Sequence, residues 1–232
     1  MDNIIQAQLE AYRDNFIQHG DTPRGTYQNN LATIEERHRQ LIANLLPYLP
    51  KNFTLCDFGA GTCDLHGYLI KNGIDHQYTG IEIVPEMREA ARIKYPGIRI
   101  VGDNILNQDY CEKFDVIVAS GTFNLRKEMA SEPWEEYVLT VVSKMFRLSN
   151  VGIAYNVLTS YCDFREETLY YMSPETAISH AQSKLSRFCC FSTFWPLYEF
   201  TLTVLKSTAL AKHFNRDEFS KYFRSSAESE KN

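Results

Sequence analysis

The sequence predicts an α/β protein with seven strands in a mostly parallel sheet, an antiparallel C-terminal strand and helices on both faces. Apolar runs of strand length alternate with amphipathic segments from residue 53 onward, which favours this fold class. The last two apolar runs, 187–192 and 198–205, are joined by a short turn around Pro196 and are expected to pair as an antiparallel hairpin. A fold that binds dinucleotides would continue with parallel units instead.

Two amphipathic helices, at residues 2–18 and 32–46, precede the sheet and are expected to form an N-terminal helical cap. The first helix and the loop after it could close over a site, with Gly20 and Gly25 as hinges. The apolar residues near the C-terminus predict a terminal helix, for which a dimer contact or a lid is the alternative. The predicted organisation is a single domain with three parts: the cap (1–50), the α/β core (51–206) and a C-terminal helix with a frayed tail (207–232).

The composition argues against several classes of protein. With 232 residues, of which 44% are hydrophobic, the chain is expected to form one globular domain with a substantial core. It has no apolar run of about 18 residues, which argues against a membrane protein, and its mixed polar N-terminus is not typical of a signal peptide. Six cysteines without C-x-x-C spacing indicate free thiols in a reducing cytoplasm rather than a metal site. A net charge of −5 without a long basic run argues against nucleic acid as a partner.

The segment from Leu55 to Leu65 is the most informative part of the chain. Asp57 ends the first apolar run, Gly59 and Gly61 follow it, and an amphipathic segment begins at Leu65. Glycines at these positions allow a sharp turn without a side chain between the backbone and a ligand, and the helix start offers free N–H groups. Asp57 could instead cap the next helix. The pattern as a whole predicts a nucleoside-like ligand.

Residues that the segment lacks narrow the choice of ligand. The third glycine of a dinucleotide fingerprint, G-x-G-x-x-G, would fall at position 64, where the chain has Asp64. The Gly-Lys-Ser/Thr triplet of a phosphate-binding loop does not occur in the sequence. The acid Asp57 suits a ligand with a cationic amino group better than one with a pyrophosphate.

Polar residues also follow the next three apolar runs. Glu82 ends the second run, where a carboxylate can accept both hydroxyls of a ribose. Asp103 and Asn104 follow the third run, and Ser120 follows the fourth. Taken singly, Glu82 could be a solvated acid and Asp103–Asn104 an ordinary turn. Their repetition after successive strands favours one shared binding site.

Four motifs in order carry a family resemblance: C-D-F-G-A-G-T-C, Y-T-G-I-E-I-V-P-E-M-R-E-A-A, V-G-D-N and F-D-V-I-V-A-S-G-T-F. Together they resemble the motif set of class I S-adenosylmethionine-dependent methyltransferases, over residues 52–158. The resemblance implies a Rossmann-like fold, S-adenosylmethionine as the cofactor and methyl transfer as the activity. The chain departs from the family at Cys63, where many members have a third glycine, although a small side chain is often accepted there.

The cofactor-binding positions that the resemblance implies lie at the ends of four predicted strands. They are Asp57 and Gly59 for the methionine part, Gly61 in the same turn, Glu82 for the ribose, Ile83, Asp103 and Asn104 for the adenine, and Ser120 beneath the methyl group. At the adenine, the carboxylate of Asp103 is expected to meet the amino group, with the backbone of Asn104 beside it.

Segments nearer the two ends of the chain carry a second, narrower resemblance. They include H-G-D-T-P-R-G, Y-N-V-L-T-S-Y and P-L-Y-E-F-T-L, and they resemble a group of bacterial methyltransferases that often accompany carbohydrate or natural-product gene sets. This resemblance implies O- or N-methylation of a small molecule, or of a sugar or natural-product intermediate. We expect a monomer or a homodimer.

A hydroxyl or amine acceptor could need a base within about 3 Å of its proton. The candidates are His19, Asp163, Tyr198 and Glu199. His19 lies where the N-terminal helix could cap the cofactor and titrates near neutral pH, although it could simply end its helix. Asp163 follows the fifth strand. Glu199 alternates with Tyr198 along the last strand, so only one of these two side chains is expected to face the site.

Two other functions fit the sequence less well. A protein that kept the cofactor site but lost catalysis would bind S-adenosylmethionine without turnover. An NAD-type oxidoreductase with an altered fingerprint is disfavoured by Asp64 and by the C-terminal hairpin.

Overall fold

The structure is a computed structural model that describes residues 2–223. One sheet of eight strands forms its centre, in the order β3-β2-β1-β4-β5-β8-β7, with the short β6 beside the end of β5. The strands are β1 (Phe53–Phe58), β2 (His76–Ile81), β3 (Arg99–Val101), β4 (Phe114–Ala119), β5 (Ser149–Thr159), β6 (Tyr171–Met172), β7 (Cys189–Ser192) and β8 (Glu199–Leu205).

Strand directions confirm the predicted fold class. Strands β1 to β5 pair in parallel with their neighbours, whereas β8 is antiparallel to both β5 and β7. The hairpin expected around Pro196 is therefore present. The sequence analysis missed β6, because two residues are too few to produce a periodic signal. The chain order reverses at β1, between β2 and β4, and ligands of open α/β sheets bind beyond the carboxyl ends of the strands at such a point.

Helices cover both faces of the sheet. They are α1 (Asp2–His19), α2 (Leu31–Ala43), α3 (Asp64–Lys71), α4 (Pro85–Lys94), α5 (Ser131–Leu148), α6 (Pro174–His180), α7 (Ser207–His213) and α8 (Asp217–Ser220). Short 3-10 helices lie at Arg24–Thr26 and Leu46–Tyr48, and a π-helical turn lies at Ala181–Leu185. Local chemistry explains several starts: Asn30 and Thr33 form a capping box at α2, and Pro85 occupies the first turn of α4.

The C-terminal segment differs from the single helix that its apolar spacing predicted. It forms the two short helices α7 and α8 instead. Phe214 leaves helical geometry at the end of α7, and the extended backbone of Arg216 starts α8, so the apolar residues do not share one continuous helix. The frayed tail predicted at 224–232 lies outside the described residues.

Two apolar layers form the core, one on each face of the sheet. Helix α5 packs against one face, where Trp134 and Val138 are buried with Ile117 of β4. Helices α2 and α3 cover the other face, where Leu41 and Leu69 are buried with neighbours from the strands. The cap helices pack directly on the core. This packing does not test the predicted division of the chain into three parts, which stays a prediction. No helix within residues 2–223 is long and apolar enough to cross a membrane.

Helix α1 packs on α4, and its Ile4 and Ile5 also pack against the core layer that contains α5. Phe16 of α1 is buried there with Val84 and Met87, and Leu9 and Tyr12 pack beside them. This contact lays the first helix across the carboxyl edge of β2. The predicted cap is therefore closed over that edge in the structure.

Candidate active site

All eight residues predicted to bind the cofactor line one pocket at the carboxyl ends of β1 to β4. The pocket contains about 1130 Å³ of empty space, including its open mouth. The strand register explains this convergence, because it places Asp57 beside Gly80 of β2 and Val118 of β4. The eight residues are Asp57, Gly59, Gly61, Glu82, Ile83, Asp103, Asn104 and Ser120.

The turn after β1 has no room for a side chain at Gly59. Gly59 has φ +74°, and a Cβ atom there would lie 2.5 Å from the side chain of Thr122. The backbone N–H groups of Gly59 and Ala60 both donate to the carbonyl of Ile81, at 2.8 and 3.1 Å. The turn is thus fixed to the end of β2 and presents its backbone to the pocket. Cys63, at the start of α3, also has a left-handed backbone with φ +64°, which matches the glycine usual at this position in the family that the sequence resembles.

Asp57 is a buried carboxylate, and only one of its two oxygen atoms accepts a hydrogen bond from a described residue. Its Oδ2 accepts a hydrogen bond from the hydroxyl of Tyr78 at 2.7 Å, and its Oδ1 is buried without a partner among the described residues. Burial raises the pKa of this carboxyl to about 7, although the Tyr78 hydroxyl lowers it. A hydrogen-bond donor or a cation in the pocket would stabilise the charged form.

Glu82 is held in place by the backbone around it. Its Oε2 accepts from the N–H of Gly61 and its Oε1 from the N–H of Val84, both at 2.8 Å. Only 6% of the residue is exposed, and burial raises its pKa. The interpretation of Glu82 as a solvated acid is therefore wrong. Each oxygen keeps a second acceptor position, so the carboxylate can accept two further hydroxyl groups.

The third and fourth strand ends complete the pocket. Asp103 is exposed, whereas the Oδ1 atom of Asn104 accepts from the N–H of Leu106 at 2.9 Å, so ordinary turn chemistry is also present. After β4, the N–H of Gly121 donates to the Oδ1 atom of Asn156 at 2.9 Å. The backbone beside Ser120 is therefore fixed from beneath by the neighbouring strand β5.

The cap and α5 supply pocket residues that the sequence analysis missed. Helix α1 contributes three of them and α2 another three, while the loop between these helices and α5 contribute two each. They are Ile5, Gln8, Tyr12, Thr26, Gln28, Ile34, Arg37, His38, Trp134 and Tyr137. Their positions depend on tertiary packing, and the amphipathic pattern of α1 and α2 was the only local signal for them.

A buried hydrogen-bond network joins the cap to the sheet behind this pocket. The Nε atom of Arg37 lies 2.8 Å from the Oε2 atom of Glu199 at the start of β8. The Nδ2 atom of Asn156 donates to the same oxygen at 2.5 Å, and Gln28 accepts from the Arg37 guanidinium. Since Asn156 also holds the N–H of Gly121, the network runs from α2 to the strand end beneath Ser120.

The structure does not bring His19, Asp163 and Glu199 together. None of the three lines the pocket. His19 ends α1 and is half-buried, and exposed Asp163 accepts a hydrogen bond from the hydroxyl of Tyr198. Glu199 is buried and paired with Arg37, while 40% of Tyr198 is exposed, so the two alternate as predicted. A catalytic role for these residues stays a prediction.

His38 is the histidine that does line the pocket. It is buried, and its Nδ1 atom has no partner among the described residues. Burial, together with the neighbouring Arg37 guanidinium, lowers its pKa to about 3. The imidazole is therefore neutral at physiological pH and can accept a hydrogen bond.

Polar contacts fasten the cap loop over the mouth of the pocket. The hydroxyl of Thr62 donates to the Oδ1 atom of Asp21 at 2.8 Å, and the Nζ atom of Lys94 lies 3.2 Å from the Oδ2 atom of Asp21. Nearby, Arg13 of α1 pairs with Glu86 of α4 at 2.7 Å. These contacts hold the loop closed in the structure.

Charge in the pocket is predominantly negative. Four carboxylates line it, and its one positively charged lining residue, Arg37, is already paired with Glu199. The four carboxylates belong to Asp57, Asp64, Glu82 and Asp103. Such a site favours a ligand that carries positive charge and hydroxyl groups over one that carries phosphates.

Comparison with known proteins adds the following findings. The family described as "Methyltransferase domain" matches residues 56–135. Rv1506c of Mycobacterium tuberculosis (strain ATCC 25618 / H37Rv), a predicted methyltransferase, is 32% identical over 158 residues, which cover 67% of this chain and 95% of that protein.

Two solved structures share the fold. Magnesium protoporphyrin IX methyltransferase (ChlM) from Synechocystis PCC 6803, with bound SAM, matches with a TM-score of 0.61 at 14% identity, over 86% of this chain and 97% of that one. The 1,6-didemethyltoxoflavin-N1-methyltransferase of Burkholderia thailandensis matches with a TM-score of 0.60 at 16% identity, over 87% of this chain and 88% of that one. At these identities the likeness concerns the fold.

Proposed function

This chain belongs to the methyltransferase family, and we propose that it transfers the methyl group of S-adenosylmethionine to a hydroxyl or amine group of a small molecule. The unpartnered carboxylate oxygen of Asp57 carries this proposal. Asp57 lines the pocket, and a buried charged group without a partner is costly. The ammonium group of the methionine part of the cofactor would pair with it.

Glu82 supports the same cofactor at its ribose. Two backbone N–H groups orient its carboxylate and leave acceptor positions for both ribose hydroxyls. Ile83 and the buried Met87 offer apolar surface beside it for the adenine ring. The excess of carboxylates disfavours NAD, whose pyrophosphate would meet Asp57 and Asp64.

Two buried polar atoms without partners among the described residues indicate the chemistry of the methyl acceptor. The Oε1 atom of Gln8 and the Nδ1 atom of His38 have no partner among the described residues, and both residues line the pocket. Such atoms pair with O–H or N–H groups. A small molecule with hydroxyl or amine groups, such as a sugar or natural-product intermediate, fits this requirement.

Catalysis at this site requires positioning more than covalent chemistry. When bound, S-adenosylmethionine supplies an electrophilic methyl group on a sulfonium centre. The side chains of Tyr12, Trp134 and Tyr137 exclude water around it, and Gln8 and His38 orient the acceptor group. Because its pKa is about 3, His38 is suited to accept a hydrogen bond rather than to keep the proton.

Calorimetry with S-adenosylhomocysteine tests the cofactor site. We expect one site per chain with a dissociation constant in the micromolar range or below, which corresponds to about −8 kcal/mol or better, and no binding of NAD at matched concentrations. Asp57→Asn should weaken binding, whereas Asp75→Asn, at an exposed position outside the pocket, should not. A folded wild-type sample that does not bind S-adenosylhomocysteine would disprove the proposal. Binding without turnover of any hydroxyl or amine acceptor would support the catalytically inert alternative.

The affinity should also depend on pH through Asp57. An ammonium group pairs with the charged carboxylate, whose pKa in the ligand-free protein is about 7. Affinity should therefore fall by up to roughly tenfold per pH unit below 7. Asp57→Asn should remove this contribution, whereas the contribution of Glu82, whose pKa is also raised by burial, should remain. Because the pKa of Asp57 is raised in the ligand-free fold, protonation of this carboxyl stabilises that fold. Its contribution to the free energy of unfolding is fully present below about pH 4 and is lost as the pH rises through 7.

A further inference from the structure

A second cleft opens at the carboxyl edge of the sheet, between the end of β5 and the β7–β8 turn. It contains about 920 Å³ of empty space, including its open side. Thr159 and Tyr161 line it from the end of β5, and Trp195, Tyr198 and Glu199 line it from the turn and the start of β8. The main pocket uses none of these residues.

Exposed aromatic side chains lie on the two loops that line this cleft. Phe194 is 95% exposed, Tyr161 68%, Phe164 61% and Tyr198 40%. Phe164 lies edge-on to Tyr198, with 5.5 Å between the ring centroids. Single exposed apolar side chains are common, but a cluster of large ones marks a binding surface. The aromatic residues come from two separate loops, so no single turn explains their grouping.

Polar groups alternate with these rings. The Nε1 atom of Trp195 is buried without an acceptor among the described residues. The hydroxyl of Tyr161 donates to the Oε1 atom of Glu175 at 2.5 Å, and the hydroxyl of Tyr198 donates to Asp163. The cleft therefore combines one buried donor without an acceptor with two hydroxyls that are oriented by carboxylates outside its lining.

A single ion pair separates the cleft from the main pocket. Glu199 lines the cleft, and Arg37, its partner at 2.8 Å, lines the main pocket. A molecule in the cleft would thus be one side-chain pair away from the main pocket. The cleft is placed to hold the part of an acceptor that does not react.

We propose that this cleft is an outer acceptor subsite that binds a sugar ring. The inference rests on the proposed methyl transfer and names the class of acceptor. The C–H face of a pyranose ring packs on aromatic side chains, while its hydroxyls pair with the Trp195 N–H and with the hydroxyls of Tyr161 and Tyr198, three residues that line the cleft. An alkyl chain would leave the Trp195 N–H unpaired, and a second protein copy would need a broader surface than this concave cleft provides.

The two tryptophans of the chain allow the two sites to be observed separately. Trp134 lines the main pocket and Trp195 the cleft. We would titrate the full chain, with saturating S-adenosylhomocysteine, with methyl glycosides of a hexose, a 6-deoxyhexose and an aminohexose. The expected result is a saturable change in tryptophan emission for at least one glycoside, which Trp195→Phe abolishes while S-adenosylhomocysteine still binds.

Phe194→Ser provides a second variant with little risk to the fold, because this side chain is almost fully exposed. It should weaken glycoside binding by about fivefold, as expected for one lost aromatic contact, and Ile93→Ser, an exposed apolar residue of α4, should not. The proposal is overturned if no glycoside changes Trp195 emission, if 1-hexanol competes equally well, or if Phe194→Ser changes only the oligomeric state. Loss of S-adenosylhomocysteine binding alone would refute the proposed cofactor instead.

Discussion

The pocket has two sides, the carboxyl ends of β1 to β4 (the strand-end side) and the helices α1 and α2 with the loop between them (the cap side). The charged groups of the two sides find their partners in opposite ways. At the strand ends, Asp57 is buried, and its Oδ1 atom accepts no hydrogen bond from any described residue. On the cap, Arg37 is fully paired with Glu199, and Asp21 is paired with Lys94. The charge of Asp57 is thus completed by a ligand, whereas the charges of Arg37 and Asp21 on the cap are completed by the protein itself. We infer that binding energy comes mainly from the strand ends and that the cap contributes closure and shape.

The two sides also differ in how far along the chain their contacts reach. Glu82 accepts from Gly61 and Val84, which are 21 and 2 residues away. Arg37 and Glu199 are 162 residues apart. Substitutions on the cap side should therefore lower stability more than they lower cofactor affinity. Substitutions at the strand ends should lower both.

The largest effect is expected from Arg37→Met. Removing the cation leaves Glu199 buried and uncompensated, which should cost about 3–5 kcal/mol of unfolding free energy. Urea denaturation measures this loss. Arg39→Met, on the same helix but in an exposed pair with Glu36, should cost less than about 1 kcal/mol. The double variant Arg37→Met/Glu199→Leu should recover much of the loss, and equal stability of Arg37→Met and wild type would show that the pair contributes nothing.

The next effect is expected from Glu82→Ala. Each lost charge-assisted hydrogen bond to the ribose should weaken S-adenosylhomocysteine binding by about 1.5–3 kcal/mol. The variant also leaves the N–H groups of Gly61 and Val84 without acceptors, so stability should fall as well. Glu82→Gln keeps one acceptor oxygen, so its affinity should lie between those of the wild type and Glu82→Ala. Glu89→Ala, at an exposed position, is the control. Unchanged affinity in Glu82→Ala would remove Glu82 from the cofactor site.

The contrast between the two sides explains how much could be predicted from the sequence. Strand ends are local features: a buried apolar run followed by an acid predicts where Asp57 and Glu82 lie, and parallel pairing brings them together. The same reasoning predicted the hairpin between β7 and β8.

Residues on the cap could not be predicted in this way. The periodicity of α2 indicates a buried face, but it does not identify Glu199 as the partner of Arg37. The two-residue strand β6 was missed for a different reason, since it has no period. For the candidate bases, sequence position suggested proximity to the site, and the structure places Glu199 in an ion pair and Asp163 at the surface.

A smaller effect tests whether the cap closes over bound cofactor. Trypsin can cut after Arg24, an exposed residue in the loop that the Asp21–Thr62 hydrogen bond holds over the pocket. Bound S-adenosylhomocysteine should slow this cut by roughly tenfold, because cleavage requires local opening. Cleavage after Arg216, between α7 and α8, is the internal control and should not change. Equal rates at Arg24 with and without ligand would show that the cap is not a lid.

The smallest effect concerns Cys63, the position where the strand-end side departs from the glycine usual in the family. Cys63 is fully buried and has φ +64°, a conformation that costs a non-glycine residue about 1–2 kcal/mol. Cys63→Ala and Cys63→Gly both remove the buried sulfur, but only glycine also removes the strain. We therefore expect Cys63→Gly to be more stable than Cys63→Ala by about 1 kcal/mol in urea denaturation, the reverse of the usual order for these residues. If alanine is the more stable substitution, the left-handed turn is not strained, and the loss of the third glycine has no energetic consequence at this site.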